Sequence, residues 1–251
     1  MRSRARLVVG SDGSVRELRS QAPLSLLPRR GTAAARAAAL TVHLVGSAAT
    51  PLGGDDVELD VVVEAGAELV LTGVAAAVAL AAPGGSRFGL RLEIGDGASV
   101  QYLPGPTVIT RRADHRTTLD AVLGDGARLR CRDVLVAGRH GEAAGRYRGV
   151  TRVAWPTGPL LVQSQDLDPS PAHLAGRRVL ATEVLVWGED PAEAVAGDWW
   201  SLTPLARGGS LATAVGPDAV VAQRDLARAL AAHPGWASTV LTEATPATRT
   251  P

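Results

Sequence analysis

Short aliphatic runs alternate with polar turns through most of the chain, and one turn sequence recurs. Aliphatic residues flank Ala-Gly-Ala at 65–67, and the same arrangement returns around Gly97 and Gly126. Each copy consists of an aliphatic residue, two residues, Gly, Ala, one residue and a second aliphatic residue, and the copies are 31 and 29 residues apart. A repeat of this length is typical of stacked β units, in which each unit needs its neighbour to bury its apolar face.

The recurring turns are predicted to be β-hairpins. Asp-Gly pairs at 96–97 and 125–126, and Ser-Asp-Gly at 11–13, each lie between aliphatic runs, and glycine tolerates the positive φ of a tight turn. We therefore expect an all-β fold, mostly β with two short C-terminal helices, in which stacked β-hairpins form a β-helix-like body or an irregular sandwich. Chance recurrence in a chain rich in Ala and Gly is the alternative.

Three segments depart from the pattern of a strand with one face in water. Val61–Val63 and the sequence VLVAG from Val134 are continuously apolar, which predicts strands covered on both faces. Tyr102 is followed by Pro104 and Pro106. Because proline cannot donate a hydrogen bond to a sheet ladder, this arrangement predicts an edge strand that ends in a fixed loop.

Helix signals are confined to the region after about residue 185. Asp190, Pro191 and Glu193 have the order of an N-cap, a first helical position and a third, which predicts a short helix over 191–199. A strand, turn and strand are predicted over 210–223, and a second helix over 223–232.

Composition bounds the domain organisation and the class of protein. The 251 residues are 46% hydrophobic and carry a formal net charge of +1, so one globular domain over 1–237 is expected, followed by a disordered polar tail over 238–251. The interspersed charges give no footprint for nucleic acid or a membrane surface. The single cysteine fits a reducing compartment, and no signal peptide or membrane-length apolar run is present. We therefore expect a cytoplasmic protein.

The sequence contains no catalytic or closed metal-binding motif. Its five histidines are scattered, and Cys131 has no Cys or His two to five residues away. Nucleophile-elbow, P-loop and dinucleotide-binding glycine patterns are absent as well. We expect a protein that is not an enzyme and has no tightly bound cofactor.

Three local features remain, each with a purely structural interpretation. They are Gly53-Gly54-Asp55 before a strand; Tyr102-Leu103-Pro104 followed by Pro106; and Asp133 followed by Gly138-Arg139 and Glu142. The structural interpretations are a turn in which the Asp binds its own backbone, the end of an edge strand, and a surface ion-pair network with Arg132 or Arg139.

In this order the features resemble the urease accessory protein family UreD, also called UreH. The segment Gly158–Gln163 supplies the Pro-Leu-Leu of that family, and the similarity extends from about residue 1 to about residue 235. The chain departs from the pattern where the family commonly has Glu, because Gln101 and Gln163 stand there and leave fewer carboxylates. The spacing after Arg139 is also two residues short, and an Ala-rich stretch from Thr72 replaces a more polar one.

The resemblance implies a non-enzymatic maturation factor. Such a protein docks on urease apoprotein and holds the helical accessory protein UreF, which recruits the GTPase UreG. Nickel is implied to pass transiently through a water-filled passage to the urease active site, with Asp133 on its path and Glu142 as a second candidate. Oxygen ligands met singly suit ions in transit, because a cage of His and Cys would bind Ni²⁺ too tightly.

Burial and partner binding give two further expectations. Asp133 begins a strand predicted to be buried, so its carboxylate is either paired with an arginine or faces internal water. A scaffold exposes apolar patches, and the 102–106 loop and Trp199-Trp200 are the candidates.

Two other functions stay open on the sequence alone. One is a β-rich carbohydrate-binding or polysaccharide-cleaving protein, although an aromatic content of 3% leaves few rings to stack on sugars. The other is a scaffold without metal traffic.

Overall fold

The computed structural model describes residues 1–31 and 37–236. Its strands, in chain order, are β1 (Arg2–Val9), β2 (Val15–Arg19), β3 (Leu24–Pro28), β4 (Leu40–Gly46), β5 (Asp56–Val63), β6 (Glu68–Gly73), β7 (Ala77–Ala79), β8 (Ser86–Ile94), β9 (Ser99–Leu103), β10 (Thr107–Ile109), β11 (Asp114–Leu123), β12 (Arg128–Ala137), β13 (Arg146–Trp155), β14 (Gly158–Leu167), β15 (Val179–Val186), β16 (Val195–Ala196), β17 (Trp200–Pro204) and β18 (Ser210–Gly216). A 3₁₀ helix spans Pro171–Leu174, and helix α1 spans Ala219–Ala231.

The strands form two stacked sheets. Sheet 1 has the order β14-β13-β11-β8-β5-β1-β2, and sheet 2 has the order β16-β17-β18-β15-β12-β9-β6-β4-β3. The pairs β5–β6, β8–β9 and β11–β12 each place one strand in either sheet, and equivalent strands of successive pairs are parallel. The chain therefore coils as a solenoid, which confirms the mostly β, β-helix-like fold predicted from the repeat.

The recurring glycines form corners between the sheets. Gly66, Gly97 and Gly126 have φ of 73°, 65° and 65°, a conformation in which L side chains are strained. The corners stack, because the Gly66 amide donates to the carbonyl of Asp96 and the Gly97 amide donates to the carbonyl of Asp125. Strands before and after each corner belong to different sheets, so the repeat length corresponds to one coil.

The hairpin prediction was wrong at all three recurring turns and correct at 11–13. The turn at 65–67 joins β5 to β6, which do not pair. The turns at 96–97 and 125–126 join β8 to β9 and β11 to β12, which do not pair. These strands face each other across the sandwich, where Ala98 and Ala127 are buried beneath the corner. At 11–13 the turn does join antiparallel β1 and β2.

Leucines from the inner faces of both sheets form the main core. Leu7, Leu59 and Leu90 of sheet 1 pack in one cluster with Leu71 and Leu129 of sheet 2, and all five are essentially excluded from solvent. Full burial of one such side chain contributes about 2 kcal/mol. The inner faces of β5, β8 and β11 thus hold the two sheets together.

The prediction of strands covered on both faces was correct for one segment. Val62 is partly exposed while its neighbours are buried, so β5 alternates and the prediction for Val61–Val63 was wrong. In β12, Val134 packs in the cluster beneath α1 and Leu135 packs on the opposite face with Tyr147, as predicted. Both faces of β12 are covered here because α1 packs on the outer face of sheet 2 at this end of the strand, whereas the outer face of β5 has no such helix in the described part of the chain.

Tyr102 lies in the interior of a sheet. Its strand β9 is hydrogen-bonded to β6 on one side and to β12 on the other, so the edge-strand prediction was wrong. Strand β9 ends at Leu103, so Pro104 and Pro106 lie beyond the strand and interrupt none of its hydrogen bonds.

The predicted helix over 191–199 is also wrong. Val195–Ala196 instead forms a short strand against β17. Asp190 does not cap a helix, because its carboxylate accepts hydrogen bonds from the Gly209 amide at 2.6 Å and the Ser210 hydroxyl at 2.7 Å. These contacts fix the segment against the turn before β18.

The second helix is confirmed with an earlier start. Asp218 accepts a hydrogen bond from the Val221 amide and caps α1 at Ala219, so the strand predicted for the second half of 210–223 was wrong. Another helical segment begins at Pro234, as far as it is described. The predicted tail at 238–251 lies outside the described residues. No helix among the described residues is long and apolar enough to span a membrane.

Candidate functional site

A cavity of about 480 Å³ lies between the two sheets, and we call it the large cavity. Its volume is enough for several water molecules. Exposed apolar residues of the 74–78 segment, among them Val74 and Val78, stand at its rim. The polar residues of its lining include Arg87, Tyr102, His115, Thr117, Arg132, Asp133, Thr151, Gln163 and Thr182.

Strand alternation directs Asp133 into the large cavity. Its neighbour Arg132 points to the other face of β12, where its guanidinium is 2.6 Å from the carboxylate of the fully buried Glu183. No described Arg or His lies within ion-pair distance of Asp133. Of the two surroundings expected for this carboxylate, an arginine or an internal space, the structure shows the second.

The protein environment disfavours the charged form of Asp133. Burial raises the pKa of its carboxyl, and hydrogen bonds from the Tyr147 hydroxyl and the Val134 amide oppose that rise in part. The Tyr147 oxygen is 3.0 Å from Asp133 Oδ2. A buried carboxylate with no cationic partner is the type of group that a cation entering the cavity would stabilise.

Tyr147 extends from β13 of sheet 1 towards Asp133 on sheet 2. Its hydroxyl oxygen is 2.6 Å from the Thr117 hydroxyl on β11. The ring lies over Gly149, where an added Cβ would come within 2.5 Å of the Tyr147 hydroxyl oxygen. The side chain is 1% exposed and packs with Leu135.

His115 lies farther along the large cavity. Its Nδ1 is 2.9 Å from the Ser86 hydroxyl, and burial lowers the pKa of the imidazole to about 4. The ring is therefore neutral at pH 7, which leaves the cavity without a cationic histidine near Asp133.

A second cavity of about 230 Å³, called the small cavity, has Tyr147 in its lining. Glu142 is part of its lining, and its carboxylate is 3.1 Å from Arg139 Nε in an exposed ion pair. Partial desolvation acts to raise the pKa of Glu142, but hydrogen bonds from the Arg139 and Arg111 backbone lower it below the usual value. The lining of the small cavity includes Glu142, Tyr147, Asp168, His173, Arg177 and Arg178.

The two predicted site residues thus line different cavities. Asp133 lines the large cavity and Glu142 the small one, and Tyr147 connects them through its bond to Asp133. Within the described chain, no group of three or more His, Cys, Asp or Glu side chains is arranged to hold a metal ion.

Gly53, Gly54 and Asp55 form a tight turn before β5, next to the loop that precedes β8. A Cβ on Gly53 would lie 2.1 Å from the carbonyl oxygen of Ala82, and Gly54 has a φ of 87°. Asp55 accepts hydrogen bonds from the Leu52 amide at 3.0 Å and from the Thr50 hydroxyl at 3.1 Å, which confirms its backbone-binding role. Thr50 also lines the large cavity.

The Tyr-Leu-Pro segment contributes to the lining of the large cavity. Tyr102 is buried and faces inwards next to Cys131, and burial raises the pKa of its phenol. The Leu103 carbonyl accepts from the Thr72 hydroxyl, and Pro104 is part of the lining. The carbonyl of Pro106 accepts from the Ala77 amide, which fixes the loop against β7.

Gly138 and Arg139 shape the loop that carries Glu142. Gly138 has a φ of 75°, and its amide donates to the carbonyl of Ile109. The Arg178 guanidinium donates to the carbonyls of Arg139 and Glu142 at 2.5 Å and 3.0 Å and holds the loop closed.

The two glutamines that replace the expected acids have different positions. Gln163 lines the large cavity. Gln101 faces away from it and accepts from Arg130 at 3.2 Å, so it is not part of the lining of the large cavity. Alternation along β9 explains the difference, because Tyr102 takes the inward position.

The apolar patches proposed for partner binding are only partly exposed. Tyr102 is buried, whereas Trp199 is 39% exposed with Arg177 stacked 3.9 Å from its ring centroid. Trp200 packs against the cluster beneath α1.

Sequence reasoning missed Tyr147, Thr117 and His115. Their partners lie about 30 residues away along the chain, one coil of the solenoid, so no local motif connects them. The available signal was the i, i+2 spacing of Tyr147 and Gly149, in which a glycine leaves room for a ring on the same strand face.

Comparison with known proteins identifies the family. A family model described as UreD urease accessory protein matches residues 2–251. Urease accessory protein UreD 1 of Saccharopolyspora erythraea is 51% identical over 238 residues, covering 91% of this chain and 93% of the relative. Urease accessory protein UreD of Parafrankia sp. strain EAN1pec is 40% identical over 262 residues, covering 90% and 86%, and that of Frankia alni is 36% identical over 260 residues, covering 86% and 87%.

These matches confirm the resemblance based on sequence motifs, and they favour an accessory protein over a carbohydrate-binding protein. The relatives are named as accessory proteins, which agrees with the prediction of a chain that is not an enzyme. The chain belongs to the UreD family of urease accessory proteins.

Proposed function

We propose that this protein docks on urease apoprotein, holds a UreF-like helical protein and through it a UreG-like GTPase, and conducts nickel towards the urease active site. The observation that carries the proposal is the half-buried Asp133 carboxylate, which lines the large cavity without an ion-pair partner among the described residues. Glu142 lines the small cavity.

The ligand chemistry of the cavities suits an ion in transit. A single carboxylate with neighbouring hydroxyls binds Ni²⁺ weakly, because imidazole and thiolate ligands are the ones that hold it tightly. His115 is turned towards Ser86, and burial raises the pKa of the Cys131 thiol, which keeps it protonated. The cavity therefore offers Ni²⁺ an oxygen ligand from which it can dissociate.

Partner contacts are proposed at the rim of the large cavity. The exposed apolar segment at 74–78 borders the opening of the large cavity. A protein bound there would cover this apolar surface and place the site from which it releases nickel next to the cavity. Trp199 and Arg177 lie on another part of the surface, near the small cavity, which Arg177 lines.

The test replaces Asp133 by Asn, which keeps the shape and removes the charge. Urease is matured with its accessory proteins in cells that carry either form, and the purified enzyme is assayed for bound nickel and activity. We expect normal co-purification of the accessory complex but lower nickel content with Asp133→Asn. Asp120→Asn is the matched control, because Asp120 forms an exposed ion pair with Arg152 on the outer face of sheet 1.

Unchanged nickel content with Asp133→Asn would contradict the proposed path. Loss of the complex itself would make Asp133 a structural residue. If Asp120→Asn lowered nickel content equally, the effect would reflect general charge and not the cavity.

A further inference from the structure

Two buried hydroxyl groups without a protein partner flank Asp133 on the wall of the large cavity. Tyr102 and Thr182 both line this cavity, and each is 7% exposed. Neither hydroxyl forms a hydrogen bond with any residue that the structure describes. A buried hydroxyl without a partner costs free energy unless water or a ligand satisfies it, so these two groups indicate a position where a polar ligand binds.

The three side chains lie on neighbouring strands of sheet 2 and point to its inner face. On one side, Thr182 of β15 is the register partner of Asp133 on β12. On the other, Tyr102 of β9 pairs with Cys131, which lies two residues before Asp133 on the same strand face. Burial raises the pKa of the Tyr102 phenol, with smaller contributions from the nearby Cys131 and Asp133. The phenol is therefore neutral, and the one carboxylate lies between two neutral hydroxyls.

Two donors of the protein already occupy the Asp133 carboxyl group. The Tyr147 hydroxyl oxygen is 3.0 Å from Oδ2, and the Val134 amide donates to the same group. The Tyr147 oxygen is at the same time 2.6 Å from the Thr117 hydroxyl, so the phenol is held in one position between the two sheets. A cation that took both carboxylate oxygens directly would have to displace it. The arrangement favours hydrogen bonds from a ligand over bidentate coordination of a metal.

This set of oxygen atoms suits a cation that keeps its shell of water molecules. Carboxylate and hydroxyl oxygens accept hydrogen bonds from metal-bound water, and such water-mediated contacts are nearly as favourable as direct ones. Within the described chain, no group of three or more His, Cys, Asp or Glu side chains is arranged to hold a bare ion. Six water molecules occupy about 180 Å³ in the liquid, and the large cavity has a volume of about 480 Å³. The cavity therefore has room for a hexahydrated ion beside Asp133.

We propose that Tyr102, Asp133 and Thr182 form a binding site for a fully hydrated divalent cation, and that all three contact the water molecules of the ion and not the metal itself. The inference rests on the proposed function, in which the ion is Ni²⁺ in transit. Asp133 supplies the charge, and the two hydroxyls set the position of the hydrated ion in the cavity. No bond to the metal is formed or broken, so the ion leaves the site by exchanging hydrogen bonds alone.

Hexaamminecobalt(III) tests whether the contact is made through the hydration shell, because its six ammine ligands do not exchange and it binds only through hydrogen bonds and charge. The full-length protein is equilibrated by dialysis with Ni²⁺ alone, with hexaamminecobalt(III) alone and with both, and bound metal is measured by elemental mass spectrometry. The binding assigned to the site is the part that is lost in Asp133→Asn. We expect hexaamminecobalt(III) to bind there and to displace Ni²⁺.

Tyr102→Phe and Thr182→Val each remove one hydroxyl and nearly keep the size of the side chain. Each should weaken the binding of both ions about fivefold, the factor that corresponds to the ~1 kcal/mol of one hydrogen bond. Thr182→Ser keeps the hydroxyl and should bind both ions as the wild type does. The matched control is Thr151→Val, which should change nothing, because Thr151 lines the same cavity from β13 of sheet 1 and lies four residues from Tyr147 along that strand.

Several results would overturn the site. Ni²⁺ that stays bound in excess hexaamminecobalt(III) would be coordinated directly, and equal losses in Thr182→Ser and Thr182→Val would make Thr182 a packing residue. Unchanged binding in Asp133→Asn, Tyr102→Phe or Thr182→Val, or an equal loss in Thr151→Val, would place the ion elsewhere. Loss of the fold in both hydroxyl variants, measured by circular dichroism, would make these hydroxyls structural and would overturn the site as well.

The nickel content of urease matured with Asp133→Asn tests the proposed nickel path separately. If that content falls while hexaamminecobalt(III) fails to displace Ni²⁺, nickel passes Asp133 without its full water shell, and the hydrated-ion site alone fails. If the content is unchanged while hexaamminecobalt(III) displaces Ni²⁺ at Asp133, the protein binds a hydrated cation that it does not deliver to urease, and the nickel path alone fails.

Discussion

Arg132 and Asp133 are adjacent in sequence and point to opposite faces of β12. Arg132 is ion-paired with the buried Glu183 on the outer face of sheet 2, whereas Asp133 faces the cavity between the sheets. The strand thus prevents the nearest guanidinium from neutralising the carboxylate. This separation leaves the Asp133 carboxylate without an ion-pair partner among the described residues.

The stability of the protein should depend on pH through Asp133. Because burial raises the pKa of this carboxyl above its ordinary value of 3.8, its contribution to stability is complete below about pH 3.8 and is lost as the pH rises through the folded-state pKa. Asn cannot ionise. Denaturant unfolding at a series of pH values should show Asp133→Asn gaining stability relative to wild type as the pH rises above about 4, and parallel curves would contradict this.

His115 should make the opposite contribution on the acid side. Its pKa is lowered by burial from 6.5 to about 4, so its stabilising effect is complete above pH 6.5 and is lost as the pH falls through that range. The loss is of the order of 3 kcal/mol, at about 1.4 kcal/mol per pKa unit.

Replacement of His115 by Asn should therefore flatten the acid limb of the unfolding free energy. The control is His140→Asn, because His140 is exposed on a loop. An acid limb that stays equally steep in His115→Asn would show that other groups cause the acid sensitivity.

Gly126→Ala tests the solenoid corner. Gly126 has a φ of 65° and open space around its Cβ position, so the substitution should cost only the conformational strain of about 1–2 kcal/mol. Gly126→Asn should cost less, because asparagine tolerates this region of backbone space. Equal losses for both substitutions in thermal unfolding would point to a steric cause instead.

The role of the Glu142 carboxylate in nickel transfer can be tested with a variant whose unfolding free energy is nearly that of the wild type. Its ion pair with Arg139 is exposed, and exposed ion pairs contribute little to stability, so Glu142→Gln should leave the unfolding free energy almost unchanged. If its carboxylate assists nickel, Glu142→Gln lowers the nickel content of urease and Arg139→Gln, which breaks the same ion pair, does not. Equal effects of the two would assign the loss to the loop structure.

The fold was largely predictable from the spacing of one turn. The positions of Gly66, Gly97 and Gly126 give the length of one coil, and helix α1 follows from its capping and apolar pattern. The pairing partners were not predictable, because the same Gly-containing turn serves a hairpin at 11–13 and a corner between sheets at Gly97. Whether such a turn becomes a hairpin or a corner depends on apolar contacts with residues one coil away along the chain.

The candidate site was predictable in part. The motif resemblance led to Asp133 and Glu142, but Gln101 was assigned to the passage although it lies on the outer face of β9. Inward and outward positions follow from the register of β9, β12 and β15, which the sequence alone does not specify. The hydroxyl of Tyr147 reaches Asp133 from the opposite sheet, a relation that no local pattern encodes.

The most direct test of the central claim, that nickel crosses the large cavity, uses the single cysteine of the chain. Cys131 is buried and lines this cavity on the same strand face as Asp133. A small methanethiosulfonate reagent would attach a disulfide-linked group there and narrow the cavity, and a reductant would remove it. Burial raises the pKa of the thiol, so the reaction should be run at mildly alkaline pH with its extent measured by mass spectrometry.

The measurement is the rate at which nickel enters urease apoprotein in the assembled complex before modification, after it and after reduction. The account predicts that modification of Cys131 stops nickel loading without dissociating the complex, that reduction restores it, and that a Cys131→Ser complex is unaffected by the reagent. Loading at the wild-type rate with Cys131 fully modified would contradict the account and would place the nickel path outside the cavity.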